Sequence, residues 1–228
     1  MAPNPLFLSL LLGAYALTIA AILVVMFRRT TQDRLMALLL SVDEVSTFIG
    51  KAGAWAIVAL TLAICYEVFS RYILQAPTSW AFDVSYMLYG VLFLLAGPYA
   101  LARNGHVRGD FLYREWKPVT QARLDLVLYF VFFFPGILAL CYAGFTFANF
   151  SWFIFERSAN SPNGPYVFPF KSLIPLVGGL MVIQGASEVV RCVLCLRTGE
   201  WPQRLHDVEE TEKIILEQAE AAKAKGAA

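Results

Sequence analysis

"CYEVFSRYILQAPTSW", residues 65–80, closes an apolar run that begins at Ala52 and carries no charge as far as Cys65. Glu67 and Arg71 then appear four residues apart, followed by Pro77 and Trp80. A run of this length and character is what a helix crossing the hydrocarbon core of a bilayer requires, about 20 residues. The two charges mark its end. In a helix they form an i, i+4 pair with the carboxylate first, the favourable orientation. Pro77 then stops the helix, Thr78 or Ser79 is placed to cap the next one, and Trp80 occupies the depth that interfacial aromatics prefer. Asp83 falls in the first turn of the following helix, where the helix dipole favours a negative charge.

The rest of the chain has the same character. Of its 228 residues 58% are hydrophobic and 15% charged, with a mean hydropathy of +0.60. Soluble domains carry about 25% charge, so the composition is that of a membrane protein. The basic residues lie in short segments without forming a continuous stripe, so no nucleic-acid partner is expected. Five stretches are long and apolar enough to span: Leu6 to Phe27, Ala52 to about Ser70, Ala81 to Ala102, about Leu124 to Phe155, and Ser172 to Leu196. The fourth exceeds a perpendicular crossing and is expected to tilt or project. The first has no Lys or Arg before it and is longer than a signal-peptide core, which favours a retained helix.

The basic residues set a direction. Fifteen of the Lys and Arg residues fall on one side of this plan and three on the other. The richly basic side is expected to be cytoplasmic, which leaves the N-terminus outside and the C-terminus inside. The intended fold is an all-α membrane protein with an extra N-terminal transmembrane helix within residues 1–33. An amphipathic interfacial helix over 34–51 and a four-helix membrane domain over 52–201 follow it. A charged cytoplasmic tail, 202–228, completes the chain and includes a helix-forming stretch from His206 to Lys225. No internal repeat is apparent, which counts against carriers built from inverted halves.

A charge at mid-bilayer costs roughly 2.5–3.5 kcal/mol on insertion scales, so each needs an account. Gln184, Glu188 and Arg191 share one face of the last span by i+4 and i+3 steps. With Gly178, Gly179 and Gly185 permitting close approach, they read as a helix-packing seam, within the chain or toward another protein. Two histidines, His106 and His206, lie outside the spans, so a haem held by intramembrane histidines finds no ligands. Of the four cysteines, Cys192 and Cys195 form a Cys-x-x-Cys pair on a helix. They read as small packed side chains, with a quinone-linked thiol protein as the redox alternative. A channel or carrier self-assembled from this chain is a further alternative. No catalytic residue, cofactor or metal is expected.

The connection "GPYALARNGHVRGDFLYREW", residues 97–116, is the most distinctive piece. Taken with "RYILQAPTSWAFD", residues 71–83, it resembles the small integral-membrane (DctQ-like) subunit of tripartite ATP-independent periplasmic (TRAP) transporters. Arg71, Tyr72, Pro77, Trp80 and Asp83 match the family's first helix end and turn. Gly105, His106, Val107, Arg108 and Asp110 match the stretch after its second helix, and Pro169, Lys171, Gln184 and Gly185 its last helix. The likeness extends from about Val42 to Trp201. Asp83 stands where glutamate is common, Gly109 where a branched apolar residue is usual, and the span Leu6 to Phe27 is additional to the four-helix plan.

The resemblance implies a subunit in the bacterial inner membrane that scaffolds a large substrate-translocating membrane subunit, a separate chain. A periplasmic solute-binding protein would deliver an organic acid or similar solute for cation-coupled uptake. Glu67, Arg71, Trp80, Asp83, Arg103, His106, Arg108, Asp110, Gln184, Glu188 and Arg191 would then be structural or subunit-facing polar residues. Asn104 and Gly105 suit a helix stop. Arg103, His106 and Arg108 lie beyond it at headgroup level, where membrane lipid is the other available partner. The turn-rich loop "ERSANSPNGPYVFP", residues 156–169, is placed to touch a binding protein.

Overall fold

The computed structural model describes residues 32–105, 113, 116–161, 164–202 and 204–205. The expected first span, the tail helix, and His106, Arg108 and Asp110 lie outside the described residues. Within them the chain forms α1 (Gln32–Ala54), α2 (Ala56–Tyr72), α3 (Ala81–Ala102), α4 (Pro118–Leu128), a π turn (Tyr129–Phe133), α5 (Phe134–Phe153), a short α6 (Phe168–Lys171) and α7 (Leu173–Thr198). Four helical stretches are long and apolar enough to cross a membrane: Leu35–Tyr72, Ala81–Ala102, Pro118–Phe153 and Phe168–Thr198. We call the end where α2 joins α3 the hairpin end, and the opposite end, where α7 finishes, the tail end.

The helix over 34–51 does not stop at the beginning of the expected span. It runs on to Ala54 and meets α2 through Trp55 alone, whose dihedrals (φ −64°, ψ −19°) remain helical. One tightened turn marks the junction, with the Trp55 N–H bonded to the Ala52 carbonyl at 3.2 Å. The amphipathic pattern is also oriented unlike that of a helix lying on a membrane surface. Asp43, Ser46 and Thr47 are buried, whereas Leu38, Val45 and Phe48 are exposed. Leu39 turns into the protein with these polar residues, and the exposed Ser41 and Glu44 lie beside the outward apolar ones. Gly50 and Gly53 carry the crossing with α3: a Cβ at Gly50 would fall 2.4 Å from Tyr99 Cβ, and one at Gly53 2.8 Å from Leu95 Cβ.

The turn into α3 is built by Pro77 and a left-handed Gln75 (φ 56°). Ser70 closes it by donating its hydroxyl to the Ala76 carbonyl at 2.6 Å. The expected cap at Thr78 or Ser79 is not made. Trp80 precedes the helix without a side-chain cap, because the Thr78 hydroxyl is engaged by Glu67 instead. At the other end of α3, Asn104 takes a positive φ of 56° and the Gly105 N–H reaches the Ala100 carbonyl at 2.8 Å, which ends the helix as its residues suggested.

The long fourth stretch is interrupted by its π turn, for which Pro135 supplies a cause. Proline has no N–H to offer and its ring crowds the carbonyl four residues back. The Phe134 N–H bonds Tyr129 five residues back, and the widened turn persists until α5 settles. α7 is the central element and packs against α1, α3, α4 and α5. Its inward face ends in Val189, Cys192 and Cys195, which join Leu101, Ala122, Tyr129, Phe134 and Leu138 in the apolar core. Neither cysteine is in a disulfide, and both are buried as small side chains. Gly199, left-handed at φ 83°, terminates the helix.

Candidate functional site

The face of α7 that carries Gln184, Glu188 and Arg191 meets the polar face of α1. Arg191 is fully buried, and its Nη2 and Nη1 donate to Asp43 Oδ2 and Oδ1 at 2.6 and 3.1 Å. Arg191 Nη1 also donates to Glu188 Oε1 at 2.7 Å. Gln184 is oriented from both sides: its Nε2 donates to Asp43 Oδ1 at 2.9 Å, and its Oε1 accepts the Ser46 hydroxyl at 2.8 Å. Arg204, beyond the end of α7, reaches back with Nη1 and Nη2 to Glu188 Oε1 and Oε2 at 3.1 and 2.7 Å. Trp201 steadies that return by donating its indole N–H to Gln121 Oε1 at 2.9 Å. Two carboxylates and two guanidiniums therefore cancel within one cluster, the condition under which buried charge is tolerable.

The three α7 residues thus come together as their spacing implied, with a partner in the same chain. Asp43, Ser46 and Arg204 were not among the residues singled out. Asp43 and Ser46 share a helical face by an i, i+3 step, a local signal that the reading of 34–51 as an interfacial helix did not use. Arg204 lies too far along the chain from Glu188 for any local pattern to expose it.

At the hairpin end, Glu67 organises the α2–α3 turn. Its Oε1 accepts from Arg71 Nε and Nη2 at 3.0 and 2.5 Å, while Oε2 accepts from the Thr78 N–H at 3.1 Å and from the Thr78 hydroxyl. Trp80 stacks on Tyr66 with ring centroids 5.9 Å apart. Asp83 is buried and holds the loop between α5 and α6: Oδ1 accepts from the Ser158 hydroxyl at 2.5 Å and from Asn160 Nδ2 at 3.3 Å. The same loop is pinned by an ion pair between Glu156 and Lys171. That bonded ammonium holds the Glu156 carboxyl below its ordinary value of 4.5. Arg103, at the tail end, donates to the Tyr99 hydroxyl at 2.5 Å and lies over its ring.

These groups do not converge on a common cavity. Gln184, Glu188 and Arg191 lie together from the middle of α7 toward the tail end; Glu67, Arg71, Trp80 and Asp83 lie at the hairpin end, and Arg103 lies at the tail end bonded to Tyr99. What they do chemically is neutralise and hydrogen-bond one another so that helices and loops keep their positions. A multi-pass helical membrane protein whose internal charges serve as packing contacts is the class this structure defines. The family model for the DctQ component of tripartite ATP-independent periplasmic transporters matches residues 60–195, more than half the chain. The chain belongs to that family, as the motifs around Arg71 and Gly105 suggested. It is a transporter component of the small-permease type, not a member of an enzyme family. No curated protein matches it closely enough to count as a relative.

Proposed function

We propose that this chain scaffolds the large membrane subunit of a TRAP transporter. That subunit would carry the solute, an organic acid or a similar compound, together with a coupling cation. A periplasmic binding protein would deliver the solute, with the 156–169 loop as a contact for it. The observation that carries this reading is where the intramembrane charges go. Asp43, Glu188 and Arg191 bond one another in the interior, while α2 shows the surroundings Ile57, Val58, Leu62 and Phe69. Side chains spent on internal contacts and an apolar exterior suit a fixed support, for which lipid and a larger helical protein are the natural neighbours.

In this reading the protein sits in the bacterial inner membrane with the tail end cytoplasmic and the hairpin end periplasmic. The connection after Ala102, with Arg103, His106, Arg108 and Asp110, then faces the large subunit or anionic headgroups. The additional N-terminal span serves as a further anchor. Thiol chemistry with a quinone has little support, because Cys192 and Cys195 are 1% and 0% exposed. The deciding experiment is recovery of the full chain from native membranes in mild detergent by a tag on its C-terminal tail, with intact-mass identification. A stoichiometric polytopic partner is expected. Recovery of the chain alone, or only with itself, would refute the subunit role.

A further inference from the structure

Arg71 is only half used by the contact that explains it. A guanidinium has five N–H donors arranged in two usable edges. Glu67 occupies the edge formed by Nε and Nη2, at 3.0 and 2.5 Å. The second edge, Nη1 with the other Nη2 hydrogen, has no partner among the described residues, and the side chain is 53% exposed whereas Glu67 is 14% exposed. This free fork lines a groove of about 450 Å³ between α2 and α3. The groove is also lined by Tyr72 and Phe82, at the same hairpin end as Arg71, and by Ile64, Val68, Tyr86 and Tyr89, one to two turns further along the two helices. Its volume is within the range of pockets that hold small molecules.

We propose that this groove is a binding site for a phospholipid of the leaflet at the hairpin end. Its phosphate would be held on the free edge of Arg71 and one acyl chain laid along Ile64, Val68 and Tyr89. Three features select that occupant. A planar fork matches two phosphate oxygens, and arginine binds them bidentately. The fork stands at the helix end, beside the Pro77–Trp80 turn, with the apolar wall running away from it along both helices, so the order of chemistry follows that of a lipid from headgroup to tail. The ion pair is neutral as a whole, so a headgroup that is itself neutral, one phosphate and one ammonium, leaves no uncompensated charge. Tyr72, next to Arg71 at the helix end and 72% exposed, offers a ring face to that ammonium. The inference is independent of the proposed subunit role, since it needs only this chain and a bilayer.

The test is native mass spectrometry of the full-length protein. It would be incubated with phosphatidylethanolamine, phosphatidylglycerol and diacylglycerol of identical chains, and separately with glycerophosphoethanolamine. Phosphatidylethanolamine is expected to be retained at least tenfold over diacylglycerol and above phosphatidylglycerol. Arg71→Gln and Ser85→Trp should each cut retention at least tenfold. Ser85 lines the groove, so the second variant fills it while leaving Arg71 and Glu67 in place, and it decides the matter if Arg71→Gln does not fold. Equal retention of diacylglycerol, preference for phosphatidylglycerol, binding of the headgroup without chains, or full retention by Ser85→Trp would each overturn the assignment. In native membranes a photoreactive residue at position 85 should cross-link to lipid; cross-linking to protein instead would also overturn it.

Discussion

The charge cluster between α1 and α7 makes a quantitative demand on stability. Asp43 and Glu188 contribute two negative charges, Arg191 and Arg204 two positive ones, and all four side chains are 7% exposed or less. Asp43→Asn leaves the cluster at +1 with the fully buried Arg191 guanidinium short of a counter-ion. Arg191→Gln leaves it at −1. Removing one partner of a buried pair costs about 3–5 kcal/mol, because the remaining charge stays desolvated. The lower end applies here, since Glu188 still accepts from Arg191 at 2.7 Å. Each single variant should therefore lose about 3 kcal/mol. The double variant, Asp43→Asn with Arg191→Gln, restores neutrality through Glu188 and Arg204. It should fall no further than either single, a coupling of about 3 kcal/mol, the top of the range for neighbouring residues. Reversible unfolding of the detergent-solubilised chain, followed by tryptophan fluorescence in mixed micelles, measures all four corners of this cycle. Singles that lose less than about 1 kcal/mol, or a double whose loss is the sum of the two, would show that the four groups do not act as a neutral unit.

Other perturbations separate the remaining contacts. Gly50→Ala should destabilise by about 1–3 kcal/mol because its Cβ would meet Tyr99 at 2.4 Å, as an overpacked helix crossing does. Gly179→Ala, with nothing within 4 Å of the new Cβ, should be neutral or gain up to about 1 kcal/mol from helix propensity; melting of both in the same detergent makes the comparison. Asp83→Asn should weaken its hydrogen bonds to Ser158 and Asn160 and raise the rate of proteolysis between residues 156 and 166, with local stability down by about 1–3 kcal/mol. The Glu156 carboxyl titrates below its ordinary value when folded. Its contribution is thus complete above pH 4.5 and disappears as pH falls through the lower folded value. Acidification should lower the hydrogen-exchange protection factors of the same loop, and Glu156→Gln should abolish that pH dependence.

The apolar lengths of the described spans were legible in the sequence, but the start expected at Ala52 is no helix boundary, since the helical stretch continues from Leu35 to Tyr72. Asn104 does in the structure what its chemistry indicates, whereas the helix before Pro77 already ends at Tyr72, five residues earlier. α1 was legible as a helix, but the direction of its polar face was not. In water polar side chains face out, whereas Asp43 and Ser46 of this chain face in, and amphipathicity alone does not reveal the solvent. The seam on α7 could be read from spacing. Its partner could not, since a contact between residues 43 and 191 leaves no trace in either neighbourhood. The π turn was hidden for a different reason: Pro135 announces a fault in the helix without specifying whether it becomes a kink, a break or a widened turn.

The separation of Asp43 from Arg191, 148 residues along the chain, has a consequence for how the protein is made. At about 5–20 residues per second the ribosome supplies Arg191 about 7–30 seconds after Asp43. Throughout that interval α1 must wait with a carboxylate that has no counter-ion. The first helices are then held in a provisional state, their inward face wet or shielded by the insertion machinery, until α7 arrives. Arg204 follows a few residues later and completes the neutral set. Assembly of this protein is thus concluded by its last span, and a nascent chain halted before α7 would present an open carboxylate-bearing face to whatever surveys the membrane for unfinished proteins.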